Sequence, residues 1–378
     1  MTERKPRLDA LRREMAAQGL AAALLLKPAS QHYLTLFKAI IYSRPIMTLI
    51  TPDKTSIIVP GLEETHAQEE AGVEEIHVYY EHPEKAGQAG TALEVLSRLV
   101  EELGPSPRIG LEYGFTPLGL VRTLEGWGAG TFDLDPVLTR MRLIKDQEEL
   151  DLLRAAGKLV SLAVQETLSR LRPGMSELEA EALGDRAALA RAAEDHPGAV
   201  VETMAMTTSG RLRTVLPHVL SSSRAFEAKE IIIHSRQLGL TGYRAECERT
   251  VFIGRPDPRQ EKVFQMMFQA QQAAIAAVGP GNTCRAVDEA ARSVFQKAGL
   301  GEYAIHRTGH GLGLEPHEAP YLRFDEEALL EPGMVVSIEP GVYVPEVGGY
   351  RHSDTVIVTD DGGELITEAP AELKEVIF

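Results

Sequence analysis

Apolar positions recur with two different periods along this chain, and the balance between them changes before residue 150. Leu8, Leu11 and Met15 stand at helical spacing among charged residues, which predicts a helix over 6–19 that Gly19 ends. The run AAALLLK reads as a buried strand, and the apolar runs at 46–51, 55–60 and 75–80 read the same way. A helix at 91–103 and the strand RIGLE at 108–112 continue the alternation, so the first part is expected to be a layered α/β domain. The Gly-rich stretch 125–136 closes it.

From residue 145 the pattern becomes helical over one long stretch, KDQEELDLLRAAGKLVSLAVQETLSRL, which Pro173-Gly174 ends. Ser176, with Glu179 three residues on, has the pattern of a capping box and starts another helix. Helices are expected at 258–277 and 284–298, and strands at 198–207, 230–237, 243–253, 334–343 and 350–359. Long helices followed by paired strands predict an α+β fold with a curved antiparallel sheet. A boundary near 138–145 separates domains 1–140 and 141–378, without internal repeats or low-complexity segments.

Composition narrows the class. Of 378 residues, 44% are hydrophobic and 25% charged, enough apolar content for ordinary cores, and the net charge of −16 disfavours nucleic acid and anionic membrane as partners. The two cysteines, Cys247 and Cys284, form no disulfide framework. The charged N-terminal stretch does not read as a signal peptide, and no run of 18 apolar residues occurs, so a cytoplasmic protein is expected.

Three segments carry candidate chemistry. In GYRAECERTVFIG (242–254), Glu246 and Glu248 stand two apart on an expected strand and share a face at ~6–7 Å. If that face is buried, one of them holds its proton. In HRTGHGLGLEPHEAP (306–320), His306, His310 and His317 accompany three glycines, a composition suited to proton transfer or metal ligation near close-approaching backbone rather than to a core. Glu339 lies inside an apolar strand pattern and needs a cation or strong donors, and Arg351 begins the return strand. His218, in PHVL, precedes the sheet.

These segments resemble the pita-bread family of prolidases, Xaa-Pro aminopeptidases, methionine aminopeptidases and creatinases over nearly the whole chain. SQHYLTLF (30–37), MRLIKDQEELDLLRAA (141–156), TGHGLGLEPHEAP and SIEPGVY carry the likeness. The resemblance implies a smaller α/β N-terminal domain before a pita-bread catalytic domain, hydrolysis of C–N bonds, a small-molecule or short-peptide substrate and a homodimer. His32 and Tyr33 are the nearest N-terminal candidates to line the pocket.

The family's peptidases hold two divalent metals with an Asp–Asp–His–Glu–Glu set. Carried over by position, this set falls on Ser235, Glu246, His310, Glu339 and Ser353, so two ligands are neutral hydroxyls. A metal pair is therefore not expected, and no cofactor is the first expectation. A single Mn, Co or Zn ion on Glu246, His310 and Glu339 is the alternative. His234 and His352 adjoin the lost ligands, but strand alternation sends them to the other face. Glu248 before Arg-Thr, and His218 seventeen residues before Ser235, are similar to creatinase, which works without metal.

The favoured reading is hydrolysis of an amide, peptide or amidine-type C–N bond in which Glu248 and Glu339 bind substrate and His218 shuttles a proton. In it, His310 and His317 polarise the carbonyl, Glu246 tunes Glu248, and Arg351 fixes an acidic group or orients a carboxylate. His306 is counted with Arg351 and Glu246 among the substrate-binding residues. The alternatives are a metal-dependent Xaa-Pro dipeptidase or aminopeptidase, and a non-catalytic binding protein on the same fold.

Overall fold

The structure, a computed structural model, describes residues 4–38 and 40–378. The chain divides into two compact units, Met1–Arg142 and Leu143–Phe378. Among the described residues no helix is long and apolar enough to cross a membrane.

The first unit is built on a six-stranded mixed sheet in the order Glu75–Tyr79, Thr55–Pro60, Met47–Ile50, Ala22–Leu25, Arg108–Leu111, Gly130–Asp133. Ala22–Leu25 is buried along its length, which is why its run is continuously apolar rather than alternating. The helix Arg4–Gln18 buries Leu8, Leu11 and Met15, and Gly19 ends it at φ 63°. The strand Gly130–Asp133 was not expected: it sits at the sheet edge in a glycine-rich stretch, with no buried residue to give it an apolar signature. SQHYLTLF lies largely on the helix Pro28–Thr35. Glu112 serves that helix as a remote cap, accepting from Ser30 Oγ at 2.5 Å and the Lys27 amide at 3.2 Å. His32 and Tyr33 are buried, and the Tyr33 hydroxyl donates to the Met141 carbonyl at 2.8 Å.

The second unit has an eight-stranded sheet whose ladders are all antiparallel. Its main path runs Glu318–Leu322, Gly309–Gly311, Val335–Ile338, Ser353–Thr359, Tyr243–Ile253, Glu230–Leu240, Val201–Ser209, and Gly362–Leu365 pairs with Ser353–Thr359. The helices Gln147–Leu168, Glu177–Asp195 and Pro258–Ala276 each begin with a complete capping box, on Asp146, Ser176 and Asp257. One large core joins these helices and Cys284–Lys297 to the sheet.

Two expected strands are each divided. The stretch 334–343 is Val335–Ile338 and Gly341–Val344, broken at Glu339-Pro340, where proline has no amide to give a ladder. The stretch 350–359 is Gly348–Arg351 and Ser353–Thr359, and the inner halves pair as a separate two-stranded ribbon. The strands Gly309–Gly311, Glu318–Leu322 and Gly362–Leu365 had not been anticipated.

Candidate active site

The hairpin Glu230–Leu240/Tyr243–Ile253 sets the site by alternation. Ser235 pairs with Glu248 and Gln237 with Glu246 across one ladder, and Ser353 pairs with Glu248 across the other. The two serines therefore flank Glu248 on both sides. Cys247 and Arg249 take the opposite face: Cys247 enters the core, and Arg249 donates to Asp354 at 2.9 Å. His234 and His352 share that opposite face. His234 Nδ1 lies 2.8 Å from Thr207 Oγ1 and its Nε2 accepts from Arg236 at 3.0 Å, while the His352 ring is packed edge-on against Phe264. Neither replaces a lost ligand.

Backbone approach places the histidines. A Cβ on Gly309 would stand 1.9 Å from the Ser337 carbonyl oxygen, and one on Gly311 would stand 2.2 Å from that of Ala319. Only glycine fits on either side of His310, so its strand slots between Glu318–Leu322 and Val335–Ile338 with the imidazole fully buried. The His317 ring lies over it with centroids 3.8 Å apart. The loop that carries His317 is held by a buried ion pair at 3.0 Å between Lys145 and Glu318.

Three carboxylates meet within this frame. Glu246 accepts from Ser353 Oγ at 2.6 Å and from Gln237 Nε2 at 2.5 Å. Both oxygens of Glu248 accept from Arg351, through its Nε and, at 2.9 Å, its Nη2. Glu339 Oε1 lies 3.2 Å from His310 Nε2, and its other oxygen lies 3.8 Å from Arg351 Nε. Burial pushes the Glu246 carboxyl up, reinforced by the charges of Glu339 and Glu248. For Glu339 burial acts in the same direction, but the contact with His310 and the charge of Arg351 outweigh it and hold the carboxyl down. Burial opposes a charge on His310, and its contact with Glu339 overcomes that and raises it. His317 is lowered to about 4 by partial desolvation and by the charge of His310.

A cavity of about 510 Å³ opens onto these groups, with His218, His306, His317, Glu339 and Arg351 in its wall. That size suits a small ligand. His218 is exposed, on the segment after the short helix Arg211–Thr214. His306 has both ring nitrogens engaged, Nδ1 at 2.7 Å from the Arg307 carbonyl and Nε2 at 2.9 Å from the Tyr343 hydroxyl. Glu246 and Glu248 are buried behind the wall. Arg351 donates to both oxygens of Glu248 and to the Tyr343 hydroxyl at 3.0 Å, and still lines the cavity.

Sequence reasoning missed Gln237, Tyr343, Arg292, Arg307 and Arg323. Gln237 was readable as the residue two beyond Ser235, on the carboxylate face. Tyr343 sits in an apolar run and carried no signal. The arginines come together only in the cavity wall.

The donor set can be tested against the family's metals. Glu246, Glu248 and Glu339 each offer an oxygen within 4.8 Å of one another, as do Glu246, His310 and His317 their ligand atoms. His310 Nε2 is buried without a hydrogen-bond partner, its contact with Glu339 being off the N–H line. Once all three are deprotonated, these carboxylates against the Arg351 guanidinium leave two negative charges, which a divalent cation would balance. The residues present fit a divalent ion.

Residues 151–360 match metallopeptidase family M24, and residues 7–144 match the creatinase/prolidase N-terminal domain. An Xaa-Pro dipeptidase of Pyrococcus furiosus is 28% identical over 98% of this chain and 99% of its own length. The structure of an Xaa-Pro dipeptidase from Bacillus anthracis superposes with a TM-score of 0.86 at 29% identity, covering 99% of this chain and all (100%) of that one. That of an X-Pro aminopeptidase from Thermotoga maritima gives 0.85 at 25% identity, covering 98% and 99%. The curled antiparallel sheet with its preceding α/β unit is the pita-bread arrangement of such proteins.

Proposed function

Because the chain belongs to metallopeptidase family M24 and is a hydrolase of C–N bonds, we propose that it cleaves short peptides of the Xaa-Pro kind with no metal pair at its centre. The observation that carries this reading is the two-toothed Arg351–Glu248 ion pair, flanked across both ladders by Ser235 and Ser353. A permanent cation and two hydroxyls occupy the ground where two divalent ions need anionic ligands. Glu246, His310 and Glu339 would hold a single ion, which when bound supplies Lewis-acid polarisation and water activation.

The chain's own groups divide the remaining work. Arg351 fixes Glu248, and Glu248 balances the charge of the guanidinium in the cavity wall. Glu339 orients His310. His310 has only Nε2 left for the ion, since its Nδ1 meets the Gly311 carbonyl, so His317, with its ring centroid 3.8 Å from that of His310, would donate to the developing oxyanion. His218, free in the wall, moves a proton to the leaving nitrogen.

The test is release of proline from Ala-Pro and related dipeptides. Turnover by the wild-type protein is expected, with kcat/KM lowered roughly a hundredfold or more in His310→Ala and His317→Ala. Failure to turn over any Xaa-Pro dipeptide, or full turnover by His310→Ala, contradicts the proposal. A second reading, amidine-type hydrolysis of a small molecule, draws on Glu248 before Arg249-Thr250. It predicts turnover of guanidino acids in place of dipeptides.

A further inference from the structure

Two side-chain atoms beside the carboxylates are buried without a hydrogen-bond partner, His310 Nε2 and Gln237 Oε1. Both side chains are closed off from solvent, His310 at 0% and Gln237 at 3% exposure. They flank one atom. Glu246 Oε2 lies 4.0 Å from His310 Nε2 and accepts from Gln237 Nε2 at 2.5 Å. In the neutral His310 ring the proton sits on Nδ1, which meets the Gly311 carbonyl at 3.0 Å, so Nε2 offers a lone pair. Two orphaned acceptors on either side of a carboxylate oxygen share one need, a positive charge between them.

The orientation of the Gln237 amide follows from its neighbours. Gln237 stands on the carboxylate face, opposite Glu246 in the ladder. Its nitrogen faces two acceptors, Glu246 Oε2 and, at 3.5 Å, the Pro316 carbonyl. Turning the amide over would set its oxygen against both, so the nitrogen keeps that place and the oxygen takes the unpartnered one. The two amide atoms share one carbon, which keeps Oε1 within ~5 Å of Glu246 Oε2. Charge favours this atom as well. Glu246, Glu248 and Glu339 against Arg351 already balance a divalent ion, so a further ligand fits best if it is neutral. An amide oxygen is neutral, and it is a hard donor.

We infer that Gln237 Oε1 is a further ligand of the ion held by Glu246, His310 and Glu339, and that its hard oxygen strengthens the binding of Mn more than that of a softer ion such as Cd. The inference rests on the single-ion reading above and adds to it a ligand and an ion preference. Gln237 then serves the site with both ends of its amide: the nitrogen holds Glu246 in place, and the oxygen meets the ion. Ser235, the neighbour two residues back on the same face, carries only a short hydroxyl, so Gln237 is the residue of this strand with the longer reach.

The test titrates Mn²⁺ and Cd²⁺ calorimetrically, without substrate, into the full-length wild-type, Gln237→Met and Gln237→Glu proteins freed of metal. Methionine keeps the length of the side chain and offers only a soft sulfur. Glutamate keeps the oxygen and loses the N–H. Gln237→Met should weaken Mn²⁺ binding roughly tenfold or more, while Cd²⁺ binding changes by less than about threefold. Gln237→Glu should bind Mn²⁺ at least as tightly as the wild type. Unchanged Mn²⁺ affinity in Gln237→Met, or equal losses for the two ions, overturns the inference. So does a Gln237→Glu protein as weak as Gln237→Met, because the role would then belong to the N–H donated to Glu246. If the wild type binds no Mn²⁺, the single-ion reading falls and this inference with it. If the wild type binds and the variants alone disagree, only this inference falls. Ala-Pro turnover, which tests the peptidase reading, enters neither result.

Discussion

At the scale of single residues, the strongest electrostatic commitment in the site is Arg351 to Glu248, with side chains 5% and 3% exposed. Removing one partner of such a pair leaves a buried charge without compensation. Arg351→Met is therefore expected to lower unfolding free energy by about 3–5 kcal/mol in denaturant titration. The double change Arg351→Met with Glu248→Gln should recover much of that loss, because neither charge then remains. A double variant as unstable as the single one would contradict the pairing. The residues that form this site were largely legible in the sequence: glycine and histidine density marked His310 and His317, and period-2 spacing put Glu246 and Glu248 on one face. What could not be read was partnership. The pairing of Arg351 with Glu248 spans a hundred residues of sequence, so no local pattern announces it.

At the scale of elements, loops are tied down by buried carboxylates. Glu177, at the first turn of its helix, accepts from the Ser209 amide at 3.0 Å, the Ser222 amide at 2.8 Å, both serine hydroxyls and Arg213. It thereby brackets the segment that carries His218. Burial opposes its ionisation, but these donors win and hold its pKa below the ordinary 4.5. A depressed carboxyl adds stability above its unfolded pKa and loses it as pH falls through the folded value. The stability gap between wild type and Glu177→Gln should thus be about 2 kcal/mol or more at neutral pH and shrink below pH ~4.5. A gap that is constant from pH 7 to 3 would contradict this.

The short strand at His310 gives another element-scale prediction. Gly309→Ala forces a methyl into the Ser337 carbonyl, so it should destabilise by about 1–3 kcal/mol or more, and should also lower kcat by moving the imidazole. Wild-type stability and turnover in that variant would contradict the close approach. Capping boxes and long amphipathic helices were readable because their signals are local. The strands Gly309–Gly311 and Gly130–Asp133 were not, since glycine erases the alternation by which a strand is recognised.

At the scale of the whole molecule, the change of texture near residue 145 corresponds to two units, each with its own sheet and core. The α+β class and the antiparallel sheet were legible from element order. The ladder sequence was not, because which strands become neighbours is decided by long-range packing. That neighbourhood is what matters chemically: it sets Ser235 and Ser353 on either side of Glu248 and brings Arg351 onto the same carboxylate. The central claim is that this charge set accepts at most one divalent ion. Its most direct test is metal stoichiometry, by elemental analysis of the full-length protein after equilibration with excess Mn, Co or Zn and removal of free ion, read alongside Ala-Pro turnover. No more than one ion per chain is predicted. Two ions per chain, with turnover falling as the second is removed, would contradict it.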